Sequence, residues 1–218
     1  MKIKGVIFDM DGVLLDSEKL YVKFWKQAGR ECGYPWEETH SLAIRSLARP
    51  FAIERLKGFF GENFDYDKVR NRRIELMDAY VGEHGIEPKP YAGETLGQLR
   101  SKGIKIALAT ATAEDKAKSY LDRIGLLGYF DAIVSAHMVA KGKPEPDIYL
   151  FAAESLGINP QECIAVEDSP NGIISAYRAD CVPVMVPDLD LPDEDTVKLT
   201  YKVCDNLKEI IHLTEEIE

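Results

Sequence analysis

Short apolar runs rich in β-branched residues recur along the chain and are the clearest feature of its hydrophobic pattern. Each run is four to six residues long and shows no polar alternation, which is typical of strands buried on both faces of a parallel sheet. The first run covers residues 3–8. The later runs cover residues 105–109, 132–135, 163–166, 182–186 and 201–204.

The segments between the later runs show helical spacing. Apolar residues recur with a period near 3.6 in one of them, at Ile148, Phe151, Ala152 and Leu156. Gly157 and Pro160 follow this segment and are typical of a helix end. Strands that alternate with helices predict an α/β fold with a doubly wound, mostly parallel, Rossmann-like sheet.

Residues 17–87 differ from the rest of the chain, since they contain both tryptophans, many charges and no strand-like run. Helical spacing recurs there at Leu20, Phe24 and Ala28, at Ile53 and Leu56, and at Ile74, Met77 and Tyr80. We therefore predict a helical cap domain, residues 17–87, inserted after the first strand of a core domain, residues 1–16 and 88–218. Ligands of open α/β sheets bind at the carboxyl ends of the strands, so the insert is a candidate lid. Residues 82–90, dense in helix breakers, are its predicted return linker.

Composition and charge narrow the possible partners. The chain has 27 Lys and Arg residues against 37 Asp and Glu residues, a net charge of −10. This balance argues against nucleic acid and anionic membranes as partners, although a small anionic substrate can still be held by local charges. The first apolar run is interrupted at Asp9, too early for a signal peptide, and no run approaches the ~20 residues of a spanning helix.

The four cysteines and four histidines are scattered along the sequence. Their spacing argues against a His/Cys zinc site and favours reduced, buried thiols. We therefore expect a cytoplasmic protein, and we expect it to be a monomer.

Two aspartates, Asp9 and Asp11, lie at the end of the first predicted strand and are followed by Gly12. A carboxylate is costly to bury unless it is paired, hydrogen-bonded or bound to a metal. The two acids therefore indicate a cation site at this strand end. An EF-hand is excluded, because the glycine comes too early and no 12-residue calcium loop follows.

Further polar residues follow the other predicted strands. Thr110 ends the second run, where it is either a hydroxyl facing the site or a plain loop residue. Lys143 follows the third run and precedes two prolines that stiffen the backbone, although a lone lysine is normally a solvated surface residue. Glu167 and Asp168 end the fourth run. Hard oxygen ligands without His or Cys indicate Mg²⁺, which retains waters and a substrate phosphate.

Two residues beside these strand ends have a purely structural interpretation. Thr112 begins a T-x-x-D pattern with Asp115 and is predicted to be a helix N-cap. Ser169 precedes Pro170 and is predicted to be the N-cap of another helix, with proline at its first position.

Four segments, in order, resemble the four motifs of the haloacid dehalogenase superfamily: DMDGVLLDSE, LATAT, GKPEPD and VEDSPNG. The position of the insert and the sequences DGVLLDSE and KPxPD resemble most closely the β-phosphoglucomutase-like branch, of sugar-phosphate phosphatase type. The resemblance spans nearly the whole chain and is more specific in the core than in the cap.

The resemblance implies a role for each of the strand-end residues. Asp9 would be the nucleophile, Asp11 the general acid and base, and Lys143 the residue that neutralises charge. Thr110 and Ala111 would bind the substrate phosphate. The implied ligands of Mg²⁺, for which Mn²⁺ or Co²⁺ can substitute, are Asp9, Asp11 through its main-chain carbonyl, Glu167 and Asp168.

The predicted function is therefore an Mg²⁺-dependent phosphatase that hydrolyses small phosphorylated metabolites, with sugar phosphates as the favoured class, through an aspartyl phosphate. Its partner is the small-molecule substrate, with no nucleic acid and no membrane. A dehalogenase needs neither a metal nor a second acid, so Asp11 argues against that reaction. A non-enzymatic phospho-accepting protein leaves both the lid and Asp11 unexplained.

The nearest alternative is a phosphotransferase of the β-phosphoglucomutase type, which must grip a distal phosphate in its cap. The segment 43–49 resembles the cationic stretch of the mutase cap, with Arg45 where the mutase has lysine and Arg49 matching its arginine. Both are candidate substrate-binding residues, and ordinary surface charge is the alternative. Tyr21 stands where mutases carry a histidine linked to control of Asp11, which favours hydrolysis.

Overall fold

The protein is described by a computed structural model, in which residues 2–45, 47, 49–189 and 191–217 are described. The chain separates into two compact units. The larger unit consists of Met1–Asp16 and Glu87–Glu218, and the smaller unit consists of Ser17–Ile86.

The larger unit contains a sheet in which every strand pairing is parallel. Its strands are β1 (Gly5–Phe8), β2 (Lys105–Thr110), β3 (Ala132–Ser135), β4 (Cys163–Glu167), β5 (Val182–Met185) and β6 (Lys202–Val203). The spatial order is β3-β2-β1-β4-β5-β6. The chain thus winds outward in both directions from β1, and the predicted doubly wound α/β fold is confirmed. A ligand of such a sheet binds where the winding reverses, at the carboxyl ends of β1 and its neighbours.

The α-helices are numbered along the chain. Those of the smaller unit are α1 (Glu18–Glu31), α2 (Glu38–Leu42), α3 (Arg49–Phe60) and α4 (Tyr66–His84). Those of the larger unit are α5 (Ala92–Ser101), α6 (Glu114–Arg123), α7 (Asp147–Leu156), α8 (Pro170–Arg178), α9 (Glu194–Leu199) and α10 (Glu209–Glu216).

Helices cover both faces of the sheet, which explains why the strands are apolar throughout. Successive side chains of a strand point to opposite faces, yet adjacent residues such as Val6 and Ile7 are both fully buried. Ile7 belongs to a cluster with residues of β2, β4 and α7, among them Ala107, Ala165 and Tyr149. Helix α7 therefore packs on one face of the central strands, beside α8.

Several helix ends form as the sequence predicts. Helix α7 ends at Leu156, and its C-cap is Gly157, whose φ of 67° lies in the left-handed region that glycine adopts without strain. Ser169 caps α8, since its side chain accepts a hydrogen bond from the amide of Gly172 and Pro170 occupies the first turn.

The return linker begins later than its glycines and prolines predicted. Helix α4 continues through Gly82 to His84, since one glycine in a helix is a modest cost that packing can outweigh. Residues 14–16, before the smaller unit, and residues 87–89, after it, then run side by side within the larger unit. The amide of Asp16 donates to the carbonyl of Glu87 at 2.9 Å, and the amide of Lys89 donates to the carbonyl of Leu14 at 2.8 Å.

The smaller unit has its own aromatic core. Trp36 is fully buried and stacks on Trp25, with ring centroids 5.8 Å apart and an interplanar angle of 6°. Its indole N–H donates to Ser41 Oγ at 2.9 Å, and that hydroxyl donates to the carbonyl of Val22 at 3.2 Å. Because the indole N–H has a hydrogen-bond acceptor, the large side chain of Trp36 can be buried without an unpaired donor.

Among the described residues, no helix combines the length and apolar character that crossing a membrane requires.

Candidate active site

The carboxyl ends of β1, β2 and β4 bring three of the predicted site residues to one edge of the sheet. Phe8 of β1 lies in register with Leu108 of β2 and Val166 of β4. Asp9 follows directly, and its amide donates to the carbonyl of Val166 at 2.9 Å. Thr110 and Glu167 are the last residues of β2 and β4, and both are buried.

Lys143 connects these strand ends from the loop between β3 and α7. Its ammonium donates to Asp9 Oδ1 at 2.5 Å and to the carbonyl of Ala109 at 3.0 Å, and it lies 2.6 Å from Glu167 Oε1. Only 13% of the side chain is exposed. The interpretation of Lys143 as a solvated surface lysine is therefore excluded.

Three buried acids, Asp9, Glu167 and Asp168, form a cluster in which one carboxylate oxygen of each lies within 4.8 Å of those of the other two. Burial raises the pKa of Asp9 well above its usual value, and Glu167 adds to the rise, while Lys143 opposes it. Burial also acts to lower the pKa of Lys143, but Asp9 and Glu167 outweigh it, so its pKa is raised and the side chain stays an ammonium.

The residues present fit a divalent cation. Asp9, Glu167 and Asp168 bring three carboxyl groups together in a buried site beside the ammonium of Lys143, and buried carboxylates are costly without positive charge close to them. The donors offered are all oxygen atoms, which suit a hard cation. The cluster can therefore hold a divalent metal.

Glu167 is held by one donor in α7 and another at the N-cap of α8. Its Oε1 accepts a hydrogen bond from the hydroxyl of Tyr149 at 2.6 Å, and its Oε2 accepts one from Ser169 Oγ at 3.2 Å. Burial, and next the charge of Glu167, raises the pKa of Tyr149 well above its usual value, so the phenol keeps its proton. The carboxylate lies against Gly172, where an added Cβ would be 1.8 Å from the carboxyl carbon.

Asp11 lies after a bend at Met10 and directly before the turn at residues 12–14, and it is half-buried. Its Oδ2 accepts a hydrogen bond from Thr112 Oγ1 at 3.0 Å. The prediction that Thr112 is a helix N-cap is wrong, because α6 begins at Glu114 with Ala113 at the cap position. The hydroxyl of Thr112, which follows β2, instead donates to Asp11, which follows the neighbouring strand β1.

The two residues predicted to bind substrate phosphate lie where β2 ends, Thr110 as its last residue and Ala111 in the bend that follows. Thr110 Oγ1 accepts a hydrogen bond from the amide of Thr112 at 3.0 Å, and Ala111 between them is exposed. Thr110 therefore belongs to the same edge as the acids, although its role toward a substrate stays a prediction.

The two candidate arginines belong to the smaller unit, where each is paired with an acid of that unit. Arg45 Nε lies 2.7 Å from Glu18 Oε2, and only 4% of the arginine side chain is exposed. Arg49 donates to both carboxylate oxygens of Asp67, at 2.7 and 2.8 Å, and its side chain is 56% exposed. Within the predicted segment 43–49, Ser46 and Ala48 lie outside the described residues. Roles of Arg45 and Arg49 toward a substrate stay predictions.

Several polar contacts at this edge involve residues that sequence reasoning missed. Ser135, the last residue of β3, donates from its hydroxyl to the carbonyl of Thr112 at 2.8 Å, and its position at a strand end was the available signal. Tyr149 offered no such signal, because its position in α7 matches an apolar helix face. Its hydroxyl becomes informative only when Glu167 is seen beside it.

Comparison with known proteins agrees with this geometry. The family model of the haloacid dehalogenase-like hydrolases matches residues 3–180. The chain is 34% identical over 183 residues to a phosphorylated carbohydrates phosphatase of Thermotoga maritima, covering 81% of this chain and 82% of that protein.

It is also 31% identical over 185 residues to a β-phosphoglucomutase of Bacillus subtilis, covering 81% of this chain and 80% of that protein. The crystal structure of a β-phosphoglucomutase from Clostridium difficile is similar with a TM-score of 0.80 at 26% identity, over 98% of each chain. With a family match over most of its length and acids at the expected strand ends, the chain belongs to the haloacid dehalogenase-like hydrolases.

Proposed function

We propose that the chain is a Mg²⁺-dependent phosphatase that hydrolyses small phosphorylated metabolites, chiefly sugar phosphates. The observation that carries the proposal is the buried ammonium of Lys143, which lies 2.5 Å from Asp9 and 2.6 Å from Glu167 within a cluster of acids. A phosphate ester is anionic and is repelled by a carboxylate nucleophile until positive charge offsets the repulsion. A fixed ammonium beside Asp9 supplies part of that charge.

In the first step, Asp9 attacks phosphorus in line with the leaving oxygen and forms an aspartyl phosphate. The bond between phosphorus and the leaving oxygen breaks, and Asp11 donates a proton to that oxygen, so an alcohol departs. The hydrogen bond from Thr112 to Asp11 Oδ2 supports this role, because it orients the carboxyl group at the edge of the sheet that carries Asp9.

In the second step, Asp11 acts in the ionised form. It takes a proton from a water molecule, which attacks the aspartyl phosphate and releases inorganic phosphate with Asp9 restored. Thr110 and Ala111, at the end of β2, would bind the phosphoryl oxygens through the turn. Lys143 balances the charge of the Asp9 carboxylate before the transfer and helps to balance that of the phosphoryl group after it.

The metal would be held by the carboxylates of Asp9, Glu167 and Asp168, together with the main-chain carbonyl of Asp11. When bound, Mg²⁺ supplies charge neutralisation at the phosphoryl oxygens and aligns them for the in-line displacement. Mn²⁺ and Co²⁺ are expected to substitute, because carboxylate and carbonyl oxygens also bind other divalent first-row cations.

The organisation of the chain extends this proposal. We assign the units to a core domain and a helical cap domain, in which Arg45 and Arg49 contribute to substrate selection. The four cysteines are all free, which supports a reducing, cytoplasmic location. We also propose that the protein is a monomer, and light scattering during gel filtration can verify its mass.

The experiment that tests the function is turnover of p-nitrophenyl phosphate with Mg²⁺, Mn²⁺ or Co²⁺ and with EDTA. Metal-dependent release of p-nitrophenol that EDTA abolishes is expected. A panel of phosphorylated metabolites then identifies the preferred substrate class. Absence of hydrolysis with every metal would instead support the non-enzymatic binding protein.

A mutase is the second candidate, because β-phosphoglucomutases are among the similar proteins. Hexose 6-phosphates and β-glucose 1-phosphate separate the two activities in a coupled assay. A phosphatase releases inorganic phosphate from hexose 6-phosphates and converts little β-glucose 1-phosphate to glucose 6-phosphate. Isomerisation that is faster than phosphate release would favour the mutase.

A further inference from the structure

Tyr149 combines two contacts that a purely apolar core residue would not make. It lies in α7 and is fully buried, yet its hydroxyl donates to Glu167 Oε1 at 2.6 Å. The face of its ring also lies 5.2 Å from the ammonium of Lys143. The same side chain therefore touches both Lys143 and the carboxylate beside it.

The contacts of Glu167 show how the hydroxyl can influence Lys143. Oε1 lies 2.6 Å from both the tyrosine hydroxyl and the lysine ammonium. Oε2 accepts from Ser169 Oγ at 3.2 Å. With both oxygens engaged, the carboxylate has one orientation, and that orientation keeps the ammonium 2.5 Å from Asp9. A buried carboxylate that loses one of its donors is expected to rotate toward the remaining ones.

We propose that Tyr149 is a positioning residue of the phosphatase site, which fixes Glu167 and thereby holds the Lys143 ammonium against Asp9. The inference rests on the proposed function for its catalytic consequence. It adds a residue that acts through Glu167 and sets the position of the Lys143 ammonium beside the nucleophile. The aromatic ring contributes to the same end, because an ammonium near a ring face is attracted to it.

The first test is Tyr149→Phe, which removes the hydroxyl and keeps the ring and its packing. With p-nitrophenyl phosphate as substrate, kcat is expected to fall on the order of tenfold to a hundredfold, the fold-change for loss of a hydrogen bond to a charged group. KM is expected to change by less than about twofold, because the ammonium acts mainly while charge moves between Asp9 and phosphorus.

Tyr120→Phe is the matched control. It removes the hydroxyl of another buried tyrosine of the same unit, whose ring lies beside Lys116 in α6. It is expected to leave kcat and KM unchanged. A fall in kcat of equal size in both variants would show a general packing effect and would overturn the role of Tyr149.

A double-mutant cycle separates positioning of Lys143 from a structural effect. The readout is the affinity of the Mg²⁺-loaded protein for orthovanadate, measured by calorimetry, which needs no turnover. Tyr149→Phe is expected to weaken binding about tenfold when Lys143 is present and less than about twofold in the Lys143→Met background. Equal losses in the two backgrounds would mean that Tyr149 does not act through Lys143.

The outcomes distinguish this inference from the proposed function. Wild-type hydrolysis of p-nitrophenyl phosphate together with additive losses in the cycle would overturn only the role of Tyr149. Coupling in the cycle without wild-type hydrolysis would overturn the phosphatase and retain the positioning role. A wild-type protein that neither hydrolyses the ester nor binds orthovanadate would overturn both.

Discussion

Asp9 and Asp11 lie two residues apart but have different partners, and their proposed roles follow from that difference. Asp9 is buried and bonded to the ammonium of Lys143. Asp11 is half-buried and bonded to the neutral hydroxyl of Thr112. Asp9 can attack as a carboxylate when the ammonium of Lys143, together with a bound divalent cation, offsets the burial that raises its pKa, whereas the hydrogen bond from Thr112 holds Asp11 in place for proton transfer.

The proton-transfer role of Asp11 predicts a dependence on the leaving group. In Asp11→Asn, turnover of an alkyl phosphate is expected to fall about 10²–10⁴-fold, whereas p-nitrophenyl phosphate loses less because its leaving group barely needs a proton. Steady-state kinetics on both esters measures the difference. Asp9→Asn is the reference variant, and it is expected to abolish turnover of both esters because the nucleophile is absent. Equal losses for both esters in Asp11→Asn would contradict the acid role.

Gly172 limits the space available to Glu167, because a Cβ at this position would lie 1.8 Å from its carboxyl carbon. Gly172→Ala is therefore expected to displace the carboxylate and to lower kcat by about tenfold or more, as expected for a disturbed charged hydrogen bond. Gly128→Ala serves as the control, since nothing lies within 4 Å of a Cβ there. Turnover of p-nitrophenyl phosphate compares the two variants, and wild-type kinetics in Gly172→Ala would contradict the tight placement of Glu167.

Helix α1 illustrates, at the scale of an element, how packing outweighs helix propensity. Gly29 lies inside this helix, although alanine is the better helix former by about 0.5–1 kcal/mol. A Cβ at Gly29 would lie 2.3 Å from the ring of Trp36. The helix tolerates glycine because the indole occupies the space of the missing side chain.

A pair of glycine substitutions measures this effect. Gly29→Ala is expected to lower the free energy of unfolding by about 1–3 kcal/mol, because overpacking exceeds the gain in helix propensity. Gly82→Ala in α4, where nothing lies within 4 Å of a Cβ, is expected to raise it by about 0.5–1 kcal/mol. Urea unfolding followed by tryptophan fluorescence gives both values, and a stabilised Gly29→Ala would refute the close packing.

At the scale of the whole molecule, the acid cluster links metal binding to the stability of the larger unit. The cluster joins β1 and β4, which are adjacent in the sheet. Its carboxylates come together only when the chain is folded, so a metal bound there stabilises the native state alone. Metal removal should therefore lower the unfolding temperature.

Calorimetry with Mg²⁺ and with EDTA tests this linkage. When the free Mg²⁺ concentration is a hundred times its Kd, binding raises the free energy of unfolding by about 2.7 kcal/mol. For a chain of this size, that increase raises Tm by about 5 °C or more. Asp168→Asn removes one proposed ligand and is expected to reduce the rise. An unchanged Tm in the wild type would contradict metal binding at the cluster.

The sequence by itself determined the fold class and the edge of the sheet that carries the acids. Short apolar runs without alternation are typical of a sheet covered on both faces, and β1 to β6 all form at the predicted runs, with β2 and β4 each extending one residue beyond its run. The acids that follow the first and fourth runs lie together, because parallel strands in register end at the same edge. These inferences depend on the local pattern of apolar runs and on the acids that follow them, and both can be read directly from the sequence.

Only the tertiary structure decided which partner each polar side chain takes. Lys143 reaches an acid 134 positions away, Thr112 bonds to Asp11 instead of capping a helix, and the hydroxyl of Tyr149 meets Glu167. Arg45 and Arg49 likewise proved to be paired with acids of their own unit. A side-chain hydrogen bond forms between atoms within about 3 Å of each other, and that proximity is set by how the helices pack on the sheet, which no local pattern in the sequence contains.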